Sequence, residues 1–296
     1  MHVGQLGYSP DGRFLLAETG VVEGRLSEIV LWDLTCRVAA QRIFGGKFAL
    51  SPGGNLLAVV TTARRLQLWT LDPFGEAAAP NEAATMAFAW STPAFSSNGN
   101  RLAATDRSGN VHVWTVADWR EQTRLKVQPI PSWVLFTHDG ETLLSEAGKR
   151  VLQWRLANGQ QIGSFDGQTA NVSSAALSSN GLLLATGSID NTARVWDLAS
   201  HRLIAAFACG AGQINSVAFS RDGKSLAAGT YEGPIQLWNV AARQQSATLR
   251  GHLSYIGSLA FSSDGRTLAS SSMDKTIRLW QAPPFDETHR VSGAAR

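Results

Sequence analysis

The stretch "GHLSYIGSLAFSSDGRTLASSSMDKTIRLW", residues 251–280, decides the fold. It reads as "YIGSLAFS", a strand; "SSDG", a turn that tolerates positive backbone angles; "RTLASSS", a second strand; "MDK", a tight turn; and "TIRLW", a third strand. The same thirty residues hold a histidine, several serines and an aspartate, which are also the residue types of a nucleophilic triad. Whether they do chemistry or hold a sheet depends on what surrounds them.

What surrounds them is repetition. Trp32, Trp69, Trp114, Trp154, Trp196, Trp238 and Trp280 are spaced by 37, 45, 40, 42, 42 and 42 residues. A turn precedes each: "SPDG" from 9, "SPGG" from 51, "SSNG" from 96, "THDG" from 137, "SSNG" from 178, "SRDG" from 220 and "SSDG" from 262. The turn glycine stands 15 residues before its tryptophan in five repeats, 14 in the fourth and 20 in the first, where "AETGVVEGRLSEIVLW" adds a longer acidic loop. A fourth strand is expected between units, as in "HRLIAAFA" (201–208) and "RQQSATLR" (243–250). No segment sustains a 3.6-residue apolar period over three turns, so almost no helix is predicted.

A four-stranded sheet of this length cannot bury both its faces alone, whereas seven arranged radially can, each packing on two neighbours. The tryptophan of each third strand then lies between sheets, where burying ~200 Å² at ~25 cal/mol/Å² gives an upper bound of about 5 kcal/mol apiece. These seven aromatics are therefore expected to be core.

Composition agrees and excludes several classes. Hydrophobic residues make up 44% and charged residues 17% of 296, enough for a large core and unlike a disordered chain. The net charge is +3, but the basic residues are scattered and Arg64-Arg65 is the only pair of adjacent arginines, a pattern that points away from nucleic acid. Cys36 and Cys209 are the only cysteines and give no disulfide framework. The N-terminal residues lack a secretory pattern and no run of eighteen apolar residues occurs, so a cytoplasmic protein without a membrane partner is expected. The six histidines show no metal-ligand spacing, the "DG" turns lack the further acids of a calcium loop, and no phosphate-binding glycine motif is present; no metal or cofactor is expected.

The strings "LWDL" (31–34), "VWDL" (195–198), "LWNV" (237–240) and "LASSSMDKTIRLW" (268–280), each after its serine-x-x-glycine turn, resemble the WD-repeat (WD40) family of seven-bladed β-propellers. The resemblance implies an all-β propeller of four-stranded antiparallel blades in one domain over 1–281, with Trp-anchored repeats ending near 34, 71, 116, 156, 198, 240 and 281. Family members commonly close the ring with an N-terminal strand outermost in the last blade. Here residues 3–8 already read as an innermost strand, so closure falls to "FDETHRVSG" (285–293) in the tail 282–296, to nothing, or to residues beyond this sequence. "APP" (282–284) fits an outer edge only.

The resemblance also assigns the opening residues. The family's structural hydrogen-bonded set would be His252, Ser270 or Ser272, Asp274 and Trp280. At the position of His252 the fifth and sixth repeats carry Gln168 and Gly210, and at that of Asp274 they carry Asp190 and Glu232. The hydroxyl of Ser272 persists as Ser188 and Thr230. The serines lie within a predicted buried strand, no oxyanion hole is legible nearby, and partial versions occur in phase, so the set reads as architecture and no catalytic residue is expected.

The family often binds protein or peptide partners on the top face, formed by the turns between second and third strands and by the connections between blades. The upper position of each innermost strand holds Gln5, Lys47, Thr92, Trp133, Ser174, Ser216 and Ser258. Trp90 precedes this position by two in its blade and Tyr255 stands beside it in the last. The tight turns carry Arg107, Ile189, Tyr231 and Met273, with Arg64 and Arg65 in blade two. Aromatics, Met and Arg on a convergent rim are hot-spot residues. Trp119 on the bottom rim reads as an ordinary exposed aromatic. The chain is thus expected to be a non-enzymatic, monomeric scaffold or adaptor for a protein or peptide partner. The alternative is a propeller enzyme or small-molecule sensor using the central channel, which would need acidic, amide or imidazole groups converging from several blades.

Overall fold

The computed structural model describes residues 3–20, 27–71, 73–77, 86–89, 91–210 and 212–281. Apolar alternation interrupted by turn residues folds each repeat as an antiparallel meander, and no helix occurs among the described residues. In blade five the strands are Val172–Leu177, innermost, then Leu183–Ser188, Thr192–Asp197 and, outermost, Leu203–Ala208. All seven serine-x-x-glycine turns end on a glycine in the left-handed region, with φ between 68° and 73°, which is what fixes glycine there. In six of them the first hydroxyl bonds the third residue's Asp or Asn; in blade two, where Gly53 replaces the acid, Ser51 bonds Asn55 instead.

Six blades have four strands. Among the described residues the seventh has three, Ile256–Phe261, Thr267–Ser272 and Ile277–Gln281. The stretch 285–293, one of the three alternatives for closing the ring, lies outside the described residues, as does most of the long loop of blade one, at 21–26. Blade three has an inner strand of only two residues, Ala94–Phe95, because Pro93 lacks the ladder donor; Thr92 instead forms a parallel bridge to Trp133 of blade four.

The core is divided among seven seams, one apolar cluster to each pair of neighbouring blades, including Val3, Leu6 and Ala17 against Ala269 where blade one meets blade seven. The tryptophan of each third strand packs toward the preceding blade and the residue before it toward the next. Trp114 and Trp196 are fully buried, and the other five are half-buried, so the 5 kcal/mol ceiling applies to two of the seven. The last seam is the loosest. Leu31, Leu68, Val113 and Val195 are buried, but Leu279 at the same register is 50% exposed and lines a cleft of about 580 Å³ with Tyr8 and Leu34. Trp119 is not a free surface aromatic; it is half-buried against the seam of blades two and three.

Candidate interaction face

The opening residues do assemble in space. Trp280 Nε1 donates to Ser270 Oγ at 2.8 Å, Ser270 Oγ meets His252 Nε2 at 2.7 Å, and His252 Nδ1 meets Asp274 Oδ2 at 2.8 Å. Ser270 is wholly buried, and its oxygen is already occupied by the indole, so no substrate carbonyl can reach it. With Nδ1–H donating to Asp274 and Nε2 accepting from Ser270, every polar atom of the set has a partner. Burial would raise the Asp274 carboxyl, but hydrogen bonds from Thr276, the Leu253 amide and His252 hold it well below the usual range. This is the anchor of a turn.

Blade five builds the same anchor from other residues. Trp196 Nε1 donates to Thr186 Oγ1 at 2.9 Å, Gln168 Nε2 donates to the same oxygen at 2.7 Å, and Arg194 bridges Gln168 to Asp190. Here too burial opposes ionisation, and Thr192, the Thr169 amide and Arg194 bring Asp190 down to about 2. Ser270, not Ser272, receives the indole; Ser272 and Ser188 instead accept from the amides of Asp274 and Asp190 and shape the turn. The indole-bonding hydroxyl recurs as Thr186 and as Ser145, which receives Trp154 Nε1 at 2.9 Å, while blades two, three and six have Val59, Ala104 and Ala228 at this register. In those three blades the buried Nε1 of Trp69, Trp114 and Trp238 has no hydrogen-bond partner.

Blade three keeps a related cluster that makes no hydrogen bond to the indole N–H of its tryptophan. His112 is buried between Glu121, 2.9 Å from Nδ1, and Asp106, 3.2 Å from Nε2, and its ring stacks on Trp114 at 5.5 Å.

Gln5, Lys47, Thr92, Trp133, Ser174, Ser216 and Ser258 converge, as the register implies, around one central cavity of about 520 Å³. Most of their polar atoms are spent on the ring itself. Gln5 bonds both the carbonyl and the amide of Phe48, bridging blades one and two as a strand would. Ser174 and Ser216 accept from the amides of Val217 and Leu259 in the next blade. The carboxylate lining this cavity is Glu18, missed in the sequence because it comes from a second strand; it is 4% exposed and paired with Lys47 at 3.1 Å. No cluster of three or more metal-ligating side chains occurs among the described residues.

The top rim divides in two. Over blades five to seven it is apolar: Tyr231 and Tyr255 stack with ring centroids 5.8 Å apart and planes at 10°, Ile189 and Met273 are exposed beside them, and Leu253 is 89% exposed. These side chains stand on tied turns, since the amides of Ile189, Tyr231 and Met273 donate to Asn171, Gln213 and Tyr255 in the connections between blades. Over blades two to four it is basic, with Arg65 and Arg107 exposed and Arg64 half-buried at φ 61°. Lys149 and Arg150, also exposed, extend this sector and went unremarked in the sequence, as did Leu253. Leu253 was legible: its amide donates to Asp274, so a residue directly after the network histidine has to leave the core.

One expected rim residue is turned mostly inward, leaving only an edge on the channel, and another falls outside the described residues. Trp133 is only 8% exposed and packs between blades four and five with Leu144, Phe165 and Trp196, because an innermost strand leaves a bulky side chain room only in a seam. Trp90 lies outside the described residues.

Three stretches match the family model "WD domain, G-beta repeat": residues 159–197, 202–239 and 243–281, which are blades five to seven with their networks and the apolar sector. Among curated proteins, "Eukaryotic translation initiation factor 3 subunit I" of Aspergillus oryzae is 41% identical over 63 residues, and that of Coccidioides immitis 38% over 63. Each match covers 21% of this chain and 19% or 18% of the relative, so the chain spans under one fifth of their length.

Proposed function

Because this chain is a seven-bladed β-propeller of the WD-repeat family, we propose that it is a non-enzymatic scaffold that holds a protein segment on its top face. The observation that carries the reading is the exposed apolar sector, the Tyr231–Tyr255 stack with Leu253, Met273 and Ile189, held on turns tied to the blade connections. The contact surface on this reading comprises those residues together with Arg64, Arg65, Arg107 and the channel edge of Trp133, with Trp90 kept from the sequence. The relatives are named as a subunit of a larger factor, which supports assembly with other proteins in the cytoplasm as the property to carry over; translation itself is not carried over from so short a match. A catalytic channel is disfavoured because Gln5, Ser174 and Ser216 spend their polar atoms on the ring and the carboxylate of Glu18 is paired with Lys47.

The test is affinity capture from native extract with wild type and with Tyr231→Ala/Met273→Ala, both exposed positions, the melting of the variant being measured alongside to show that it is folded. A partner held by the wild type and lost from the variant is the expected result. A partner retained equally by both overturns the top-face reading. Light scattering of the purified chain reads the oligomeric state, a monomer being expected.

A further inference from the structure

The two halves of the top rim differ in chemistry, and a segment lying across the disc must meet both. The apolar half, over blades six and seven, displays Leu253, Tyr231 and Met273, and the exposed charges of its tight turns are one of each sign, Glu232 and Lys275, since Asp274 is committed to His252 and Thr276. The basic half, over blades three and four, displays Arg107, Lys149 and Arg150. The carboxylates of those turns are engaged: Asp106 accepts from Asn110 and contacts His112, and Glu146, 7% exposed, accepts from the amide and hydroxyl of Ser132. Between the halves the channel mouth carries no unbalanced charge, because Lys47 and Glu18 neutralise each other.

We propose, resting on the reading that the top face binds a protein segment, that the segment is amphipathic along its length. Leu, Ile, Phe or Met side chains at one end seat on Leu253 and the tyrosine stack, and Asp or Glu side chains at the other reach Arg107, Lys149 and Arg150. The apolar end supplies most of the affinity, because fully exposed apolar side chains gain most on burial. The acidic end sets orientation, rate of association and salt dependence, because exposed charges act through a screened field. A basic or uncharged segment would be steered away from, or lie indifferently on, blades three and four.

The experiment is selection of a phage-displayed library of random twelve-residue peptides on the immobilised chain. Affinities of enriched peptides are then measured by fluorescence anisotropy at low and high salt. Enriched sequences are expected to carry a net negative charge at one end and at least two large apolar residues at the other. Leu253→Asp, at a position too exposed to matter for folding, should weaken them tenfold or more. Lys149→Glu/Arg150→Glu should weaken them severalfold at low salt and hardly at high salt. The proposal is overturned if nothing is enriched, if enriched peptides are basic or neutral, or if either variant binds as the wild type does. Capture that depends on Tyr231 and Met273, combined with neutral enriched peptides, removes the polarity and leaves the top-face reading standing; capture indifferent to Tyr231 and Met273 removes that reading itself.

Discussion

Ala228→Ser should stabilise the protein, although it places a polar atom in a fully buried site. Ala228 occupies the register at which blade seven has Ser270 and blade five Thr186, directly across from Gln236 and two pairs along from Trp238. Side chains opposite one another, and those two residues apart, share a face of the sheet. On this face the buried Nε1 of Trp238 and the buried Oε1 of Gln236 both lack partners. The Cys209 thiol lies near Trp238, but sulfur is a weak acceptor and the geometry is not that of a hydrogen bond. One hydroxyl at position 228 can accept from the indole, as Ser145 does without any histidine, and donate to the glutamine. Each hydrogen bond is worth about 0.5–1.5 kcal/mol net, and burying the hydroxyl takes part of it back, leaving a gain of about 1–2 kcal/mol. For a chain of this size that is a rise in Tm of roughly 2–4 °C. Differential scanning calorimetry of the variant against wild type reads it, with Ala228→Val as the control that adds bulk but no acceptor. A lower Tm for the serine variant, or equal changes for serine and valine, would refute the argument that these tryptophans are short of an acceptor.

Two further outcomes follow from the same structure. Asp190 and Asp274 are both held below the usual carboxylate range in the folded chain, so their contribution is complete above the unfolded pKa of about 4 and is lost as pH falls toward 2. Tm should therefore drop steeply between about pH 4 and 2, and Asp274→Asn should flatten that slope; an unaltered slope would remove Asp274 from the linkage. At the seventh blade, Leu279→Ala should cost under about 1 kcal/mol while Leu68→Ala at the same register costs about 2–5 kcal/mol, as read by chemical denaturation. Equal losses would mean that Leu279 is covered as fully as Leu68.

The fold was legible because its signal is redundant. Seven turn glycines need the same left-handed backbone and seven tryptophans need the same seam, so the phase survives an insertion in blade one and the proline that breaks the inner strand of blade three. Convergence of Gln5, Lys47, Thr92 and the serines on the channel follows from register alone, since strand position fixes which residues point inward. Register does not say how a side chain turns once it arrives. Trp133 stands at the right place on its strand and still folds back into the seam, because apolar contact with Leu144 and Phe165 outweighs exposure at the channel mouth.

The hydroxyl that serves the indole shows why single motifs mislead where registers do not. Comparing Ser272, Ser188 and Thr230 by type finds a hydroxyl in each of three blades and suggests persistence, yet these oxygens shape turns. Comparing Ser270, Thr186 and Ala228 by their place opposite the third strand separates satisfied from unsatisfied tryptophans. The same comparison would have found Arg194 as the residue that lets Gln168 replace a histidine, since the glutamine oxygen needs a donor that the histidine did not. Leaving Trp69, Trp114 and Trp238 without acceptors costs about 1–3 kcal/mol each, a sum that a ring with seven buried seams can carry because every blade is held by two neighbours. Blades five to seven, which carry the apolar sector and match the family, include both complete anchors. That pairing is physically sensible: a rigid turn displaying Ile189 or Met273 loses less conformational entropy on binding than a loose one, so the anchor and the exposed side chain it carries serve the same end.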